Sequence, residues 1–570
     1  MSPLAKTRRV PARRIRSCGG RKTRPASWQF IPRFLCHGVY VPDADDDVEW
    51  LLTPAERGNG GTRLDGAHQG RTWSEGNLVR PLIHGATYFA ELFERIEATG
   101  AGDVIVFADW QGDADERLTG EPGSEVLAVL GRAAARGVEV RGLVWHSRPA
   151  AMAGEEGDNE EFGAQLRAHG VEAWLDMRVR TRGSHHQKLF VLRHRGDPSR
   201  DVAFVGGIDL CHSRRDDNAH GGDPQAYDLA AEYGPTPPWH DAQAEISGPA
   251  VHDVETVFRE RWEDPAPLDG SPSRWRTQRR GGTTRASPSA LPSQLPPPPP
   301  VAGGTHVVQL LRTYPQLHGR RDYSFAPGGE RSVARGYTKA IGRARQLIYV
   351  EDQYLWGHHV AEMLGTALER KPDLFIIGVV PLYPNLEGVL GRLPQLEGRR
   401  RAMQDLLRKA PDRVAIYGLE NHAGTPVYVH AKACVIDDTW TTIGSDNFNR
   451  RSWTHDSELS AVVIDRDGEY GRRLRLTLAA EHLDRDSGDL PDAMADCLEP
   501  ADMFATYASC AARLDAWWDG GRTGPRPAGR LRRIEPPELG LLHRAVATVP
   551  CVLLHDPDGR PRRLRRADNF

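Results

Sequence analysis

A run of segments in the first half of the chain recurs in the same order in the second half, and this repeat limits the possible folds more than any other feature. The helical pattern ATYFAELFERIEATG leads into the β-rich run DVIVFADW, and the pattern RSVARGYTKAIGRARQ leads into LIYVEDQY. Further on, HHQKLFVL followed by VAFVGGIDL is matched by VHAKACVID followed by WTTIGSDNF. Each series closes on an acid that opens an alternating strand, Asp241 in DAQAEISG and Glu458 in ELSAVVID. Helices alternating with short β-rich runs predict an α/β fold of two similar lobes, each a mixed β-sheet flanked by helices. A pseudo-twofold between them would bring the two H-x-K elements to one interface, where a single shared active site is expected.

The 570 residues exceed what one core accommodates. Composition divides them into a basic disordered tail (1–34), a first lobe (35–265), a Pro/Ser/Gly-rich linker (266–305), a second lobe (306–485) and a C-terminal extension (486–570). The tail has no apolar h-region and so does not indicate export. The proline run at 296–300 is expected to be a stiff polyproline II spacer. A net charge of -3 with 26% charged residues excludes a global basic field, so no stable nucleic-acid partner is expected. Seven scattered cysteines without CxxC spacing fit free thiols in a reducing compartment rather than disulfides or a zinc site. The most apolar run, LFIIGVV, is far too short to span a bilayer and reads as a buried strand. A cytoplasmic monomer is expected, with peripheral membrane contact as the alternative.

Side chains two apart on extended backbone share a face, so His186 and Lys188 project together, as do His430 and Lys432. The second motif continues H-x-K-x4-D to Asp437 and then Gly444-Ser445-Asp446-Asn447. In the first, Arg193 stands where the aspartate belongs, followed by the long turn RHRGDPSRD and Gly206-Gly207-Ile208-Asp209.

At these residues the chain resembles the phospholipase D superfamily, whose signature is this motif duplicated in one chain. VAFVGGIDLCHSRRDD, PWHDAQAEISG, LIYVEDQYLW and VVPLYPNLEG resemble its eukaryotic-type phosphatidylcholine-hydrolysing branch. The resemblance implies a phospholipid substrate at a membrane surface, cleaved to phosphatidic acid and free headgroup through a covalent phosphohistidine. Phosphatidyl transfer of the cardiolipin synthase type, a superfamily nuclease and an inactive lipid- or phosphate-binding protein are the alternatives. A phosphodiester is already negative, so its attack needs cations and donors around the non-bridging oxygens, which Lys188, Lys432, Asn447 and Ser445 can supply. One imidazole must be neutral to attack and the other must carry the proton for the leaving alcohol. The resemblance gives Glu458 to His186 and Asp241 to His430, makes His186 the nucleophile, and has Asp241 keep His430 protonated. It places Asp437 in the catalytic set; an ionised Asp209 beside a phosphate would be repulsive, so Asp209 is expected to orient Lys188 or another cation. Either Asp201 replaces the missing first-lobe aspartate or that aspartate is structural. The scheme needs no cofactor, and ligand spacing indicates no metal, the irregular His212, His220 and Cys211 included.

Other residues read as background. His185 should face away from the site, Cys434 is a buried thiol, and Trp239, Trp356 and Trp453 are core residues or pocket walls. Arg214-Arg215-Asp216-Asp217 is a solvated cluster or the rim of the substrate entrance, and RPRRLRRADNF is a solvated basic tail.

Overall fold

Strands covered on both faces read as unbroken apolar runs, and VIVFAD and LIYVE lie at the centres of two sheets of matching topology. The structure, a computed structural model, describes residues 47–145, 158–180, 182–268, 287–317, 322–354, 357–385, 391–486, 488 and 490–570. The basic tail and Trp356 lie outside them.

The first lobe contains β1 (Ser74–Ile83), β2 (Val104–Asp109), β3 (Glu139–Trp145), β4 (Glu172–Asp176), β5 (Leu189–Arg193), β6 (Val202–Gly206), the short β7 (Trp239–His240) and β8 (Ala242–Ser247). Its sheet runs β1-β8-β6-β5-β2-β3-β4, parallel from β2 to β4 and antiparallel elsewhere. The second lobe contains β9 (His306–Tyr314), β10 (Glu330–Arg331), β11 (Leu347–Glu351), β12 (Phe375–Val379), β13 (Val414–Glu420), β14 (Pro426–Val429), β15 (Ala433–Ile436), β16 (Trp440–Gly444) and β17 (Glu458–Asp465). Its sheet runs β9-β17-β16-β15-β11-β12-β13, the same order with the same directions. The repeat in the sequence is thus a repeat of sheet topology, and β1 joins the sheets by also pairing with β9.

Alternation along the strands divides the core. Val104, Val106 and Ala108 face the layer between the lobes, while Ile105 and Phe107 face the helices Gly85–Glu97 and Val126–Ala135. In β11, Leu347 and Tyr349 face inward, and Ile348 and Val350 meet the outer helices. Strands β6 and β8 pack against β16 and β17, so the motif strands of both lobes meet at the interface.

The proline-rich segment and the C-terminal extension are both anchored on the lobes. The Pro296 carbonyl accepts from Arg193 Nη2 at 2.6 Å, and Gln294 donates to the His252 carbonyl, so the proline run lies along the first lobe instead of standing free. In the extension, Leu531–Arg533 (β18) adds to the edge of β13. The terminal Phe570 is 5% exposed, lies against Trp453, and takes Arg335 Nη2 on its backbone oxygen at 2.8 Å, so the end of the basic tail is anchored while Arg562, Arg563, Arg565 and Arg566 are exposed as expected. Among the described residues no helix is long and apolar enough to cross a membrane, and the described cysteines are buried free thiols.

Candidate active site

Each lysine folds back beside its histidine. Lys188 Nζ donates to the His186 carbonyl at 3.1 Å, and Lys432 Nζ donates to the His430 carbonyl.

Two short parallel pairings then bring the acids across. Tyr428 and Val429 of β14 stand opposite Trp239 and His240 of β7, so the following residues, His430 and Asp241, come side by side. His430 Nδ1 lies 2.7 Å from Asp241 Oδ2. A parallel bridge between His185 and Ser457 does the same for the other pair, with His186 Nδ1 2.9 Å from Glu458 Oε2. Each imidazole is therefore oriented by a carboxylate of the opposite lobe, in the pairing that the sequence predicts. His185 points elsewhere and is fully buried.

The two acids differ in their donors. Asp241 also accepts from Trp239 Nε1 at 3.3 Å and from its neighbour's amide, Ala242 N, at 2.9 Å. Glu458 accepts from Ser445 Oγ at 2.5 Å, while its other oxygen is buried without a partner. Burial opposes the charge of Asp241, but His430 and these donors hold it below the usual carboxylate range. Burial, with Asp456 nearby, pushes Glu458 up to about 8. Burial and Lys432 push His430 down to about 3, and burial with Lys188 and Lys432 takes His186 well below its ordinary value. Desolvation and the adjacent ammonium thus work against the expected role of Asp241, which by itself raises the pKa of His430. The shifts run in opposite directions in the two pairs: Asp241 is lowered, whereas Glu458 is raised.

Asp209 lies 3.4 Å from Lys188 Nζ and accepts from the Trp110 amide at 3.2 Å, which fits an orienting role. Asn447 is buried, and its side-chain oxygen has no hydrogen-bond partner among the described residues. Ser445, expected on the phosphate, spends its hydroxyl on Glu458 and accepts from the Leu459 amide at 3.0 Å, so it supports the acid.

Asp437 is not in the site. It caps the start of β11, taking the amides of Arg345, Gln346 and Leu347 at 2.7, 2.9 and 2.9 Å. Seven residues of extended chain carry it roughly 20 Å from His430. Nor does Asp201 stand in for a catalytic acid: it takes Arg193 Nε at 2.8 Å, and Arg193 also pairs with Glu255. The motif aspartate fastens a strand end, and in the first lobe a buried arginine with two acids does so instead.

Arg214, read only as part of a solvated cluster or entrance rim, lies in the site. It is buried, sits 4.1 Å over the Trp239 ring and contributes to lowering the pKa of His430 as a third cation. Its neighbour Asp216 takes the Trp239 amide at 2.7 Å, which ties this loop to the site. Trp110, stacked on Trp145, lies 6.2 Å from the His186 ring, and Trp239 lies 5.1 Å from the His430 ring. Trp453 instead stacks on Tyr337 in the core. Behind Asp241, the buried His84, His220 and His240 gather around the partly buried Glu481, with one ligand atom of each within 4.8 Å of the others; His212 is not among them and bonds Asp115.

The family described as "Phospholipase D" matches residues 98–290, and the family described as "Cardiolipin synthase, PLD-like domain" matches residues 337–474. The chain is 26% identical over 517 residues to phospholipase D alpha 1 of Cynara cardunculus, covering 68% of this chain and 62% of that protein. It is 24% identical over 579 residues to phospholipase D alpha 1 of Arabidopsis thaliana, covering 77% and 68%. The chain thus spans about three fifths to two thirds of these relatives' length. Among solved structures, phosphatidylserine synthase of Haemophilus influenzae Rd KW20 aligns with a TM-score of 0.47 at 13% identity, over 77% of this chain and 93% of that one.

Proposed function

The chain belongs to the phospholipase D superfamily, and on that basis we propose that it cleaves the headgroup phosphodiester of glycerophospholipids through a covalent phosphohistidine. The observation that carries this reading is the crossed pair of imidazoles, each held at Nδ1 by the other lobe's carboxylate with a lysine beside it. Lys188, Lys432 and Arg214 gather the non-bridging oxygens. His430 Nε2, freed by the ionised Asp241, bonds phosphorus as the bond to the headgroup oxygen breaks. That oxygen takes a proton from His186 Nε2, and Glu458 returns one to Nδ1. A water then gives its proton to His186 and attacks phosphorus, and the P–N bond breaks to release phosphatidic acid.

This assignment of attack to His430 departs from the sequence expectation and follows from the unlike donor sets of the two acids. Phosphatidylcholine is the favoured substrate, since the aromatic rings beside both histidines suit a quaternary ammonium and the relatives above are named phospholipase D alpha 1. The protein would act as a monomer at a membrane surface. Transfer of the phosphatidyl group to an alcohol is the second reading, favoured by the "Cardiolipin synthase, PLD-like domain" match in the second lobe; only the second nucleophile differs.

Phosphatidylcholine vesicles, with and without a primary alcohol, test the reading. Choline release with phosphatidic acid supports hydrolysis, whereas choline release only when alcohol is present would turn it to transfer. Rapid denaturation at neutral pH and peptide mapping should place the phosphatidyl group on the peptide containing His430, and its presence on that containing His186 would reverse the assignment.

A further inference from the structure

Four side chains from four separate segments converge behind Asp241. His84 precedes the helix Gly85–Glu97, His220 lies in the loop between β6 and β7, His240 ends β7, and Glu481 lies on the helix Tyr470–His482 of the other lobe. One ligand atom from each lies within 4.8 Å of all the others. His84 Nε2 is 2.7 Å from Glu481 Oε2, while His220 Nε2 and His240 Nδ1 are 3.0 and 3.2 Å from Glu481 Oε1. We propose that His84, His220, His240 and Glu481 bind one divalent transition-metal ion of the zinc type, which fastens the two lobes together behind Asp241.

The donor chemistry fits such an ion. Three imidazole nitrogens and one carboxylate suit zinc, with bonds of roughly 2.0–2.2 Å that slight contraction of the cluster would provide. On binding, the ion takes the place of the protons now shared between the imidazoles and Glu481, which leave to solvent. The outer contacts fit as well. His240 Nε2, the nitrogen that would not bind metal, lies 2.6 Å from Glu351 Oε2, and His220 Nδ1 lies 3.7 Å from Asp216 Oδ2. A carboxylate behind a ligating histidine fixes its tautomer and ring orientation. Glu351 is itself held by His482 Nε2 at 2.8 Å and Tyr349 Oη at 2.5 Å, which makes it a support for His240 more than a ligand.

The backbone points the same way. His84 and His220 both adopt positive φ, 65° and 55°, a region costly for residues with a Cβ and maintained only where the surroundings impose it. All three histidines are buried, as solvated surface groups would not be. The location gives the ion a role. The His84 amide donates to the Asp241 carbonyl at 2.9 Å, and the His430 amide donates to the His240 carbonyl at 2.7 Å. The ligands are thus backbone neighbours of one imidazole–carboxylate pair and would position it without touching substrate.

Metal content of the full chain, purified without a metal-affinity tag, tests this whether or not the protein cleaves lipid. About one zinc per chain is expected by elemental analysis. After stripping with a chelator, one equivalent of Co²⁺ should give the intense visible bands of a tetrahedral site, and Zn²⁺ should raise Tm by about 5 °C. His84→Ala and Glu481→Gln should weaken Co²⁺ binding by at least about 10-fold and shift the bands, as loss of a ligand replaced by water does, and His482→Ala should leave both unchanged. A wild-type chain that takes up neither ion while keeping its circular dichroism would overturn the proposal, and so would loss of binding in His482→Ala but not in His84→Ala.

Discussion

Lys432 is a buried ammonium whose pKa burial lowers to about 8, so its charge is present below that pH and lost above it. Because kcat/KM reports groups of the free enzyme, we expect it to fall as pH rises through about 8. In Lys432→Arg, with a side chain that stays charged, whatever activity remains should keep its value past that pH; an unmoved alkaline limb would assign it to another group. Asp437 and Asp201 behave differently. Removing Asp437 leaves three amides at the start of β11, those of Arg345, Gln346 and Leu347, without their acceptor, and removing Asp201 leaves the buried Arg193 with one acid fewer. Each Ala variant should therefore lose stability, by about 1–3 kcal/mol for Asp437 and about 3–5 kcal/mol for Asp201. Turnover per folded molecule should change little, as chemical denaturation alongside active-site titration would show. At this scale the histidines, the lysines and the crossed acids were legible, because the motif is local and repeated. Arg214 was not, since its role depends on a loop that folds it onto Trp239, and no spacing rule marks that contact.

The element that aligns the site is a pair of parallel contacts only one or two residues long, β7 with β14 and His185 with Ser457. Such short pairings leave no period-2 pattern to read, so which acid meets which histidine was legible only through the family resemblance, with the repeat matching Asp241 to Glu458. The turn after β6 is a second aligning device. A Cβ on Gly207 would come within 2.3 Å of Asp241 Oδ1, and its counterpart Ser445 instead supplies the hydroxyl that Glu458 uses. Gly207→Ala should push the Asp241 carboxylate off His430 and lower kcat by about 100-fold, the effect of a misplacement near 1 Å. The far-ultraviolet circular dichroism should be unchanged, and wild-type turnover in this variant would show that Asp241 is not held by that contact. The proline run and the C-terminal residues misled for a related reason. Composition marks them as poor core formers, but their backbone carbonyls and Phe570 are anchored by arginines of the lobes, an interaction that local pattern does not record.

At the scale of the molecule, two sheets of one topology meet through their motif strands, and each lobe supplies half of each histidine–acid pair. Neither lobe contains a complete site. The lobe count and fold class followed from the order of the repeated segments, whereas the coupling through β1 and β9 and the His84–Glu481 cluster join residues too distant in sequence to be read together. The most direct test is to assay His186→Ala and His430→Ala singly and combined on one phosphodiester substrate. Residues acting as a unit are non-additive, so each single variant should lose at least about 10⁴-fold in kcat and the double variant little more. About half of wild-type activity in each single variant, with full loss only in the double, would mean two independent sites and contradict the shared one.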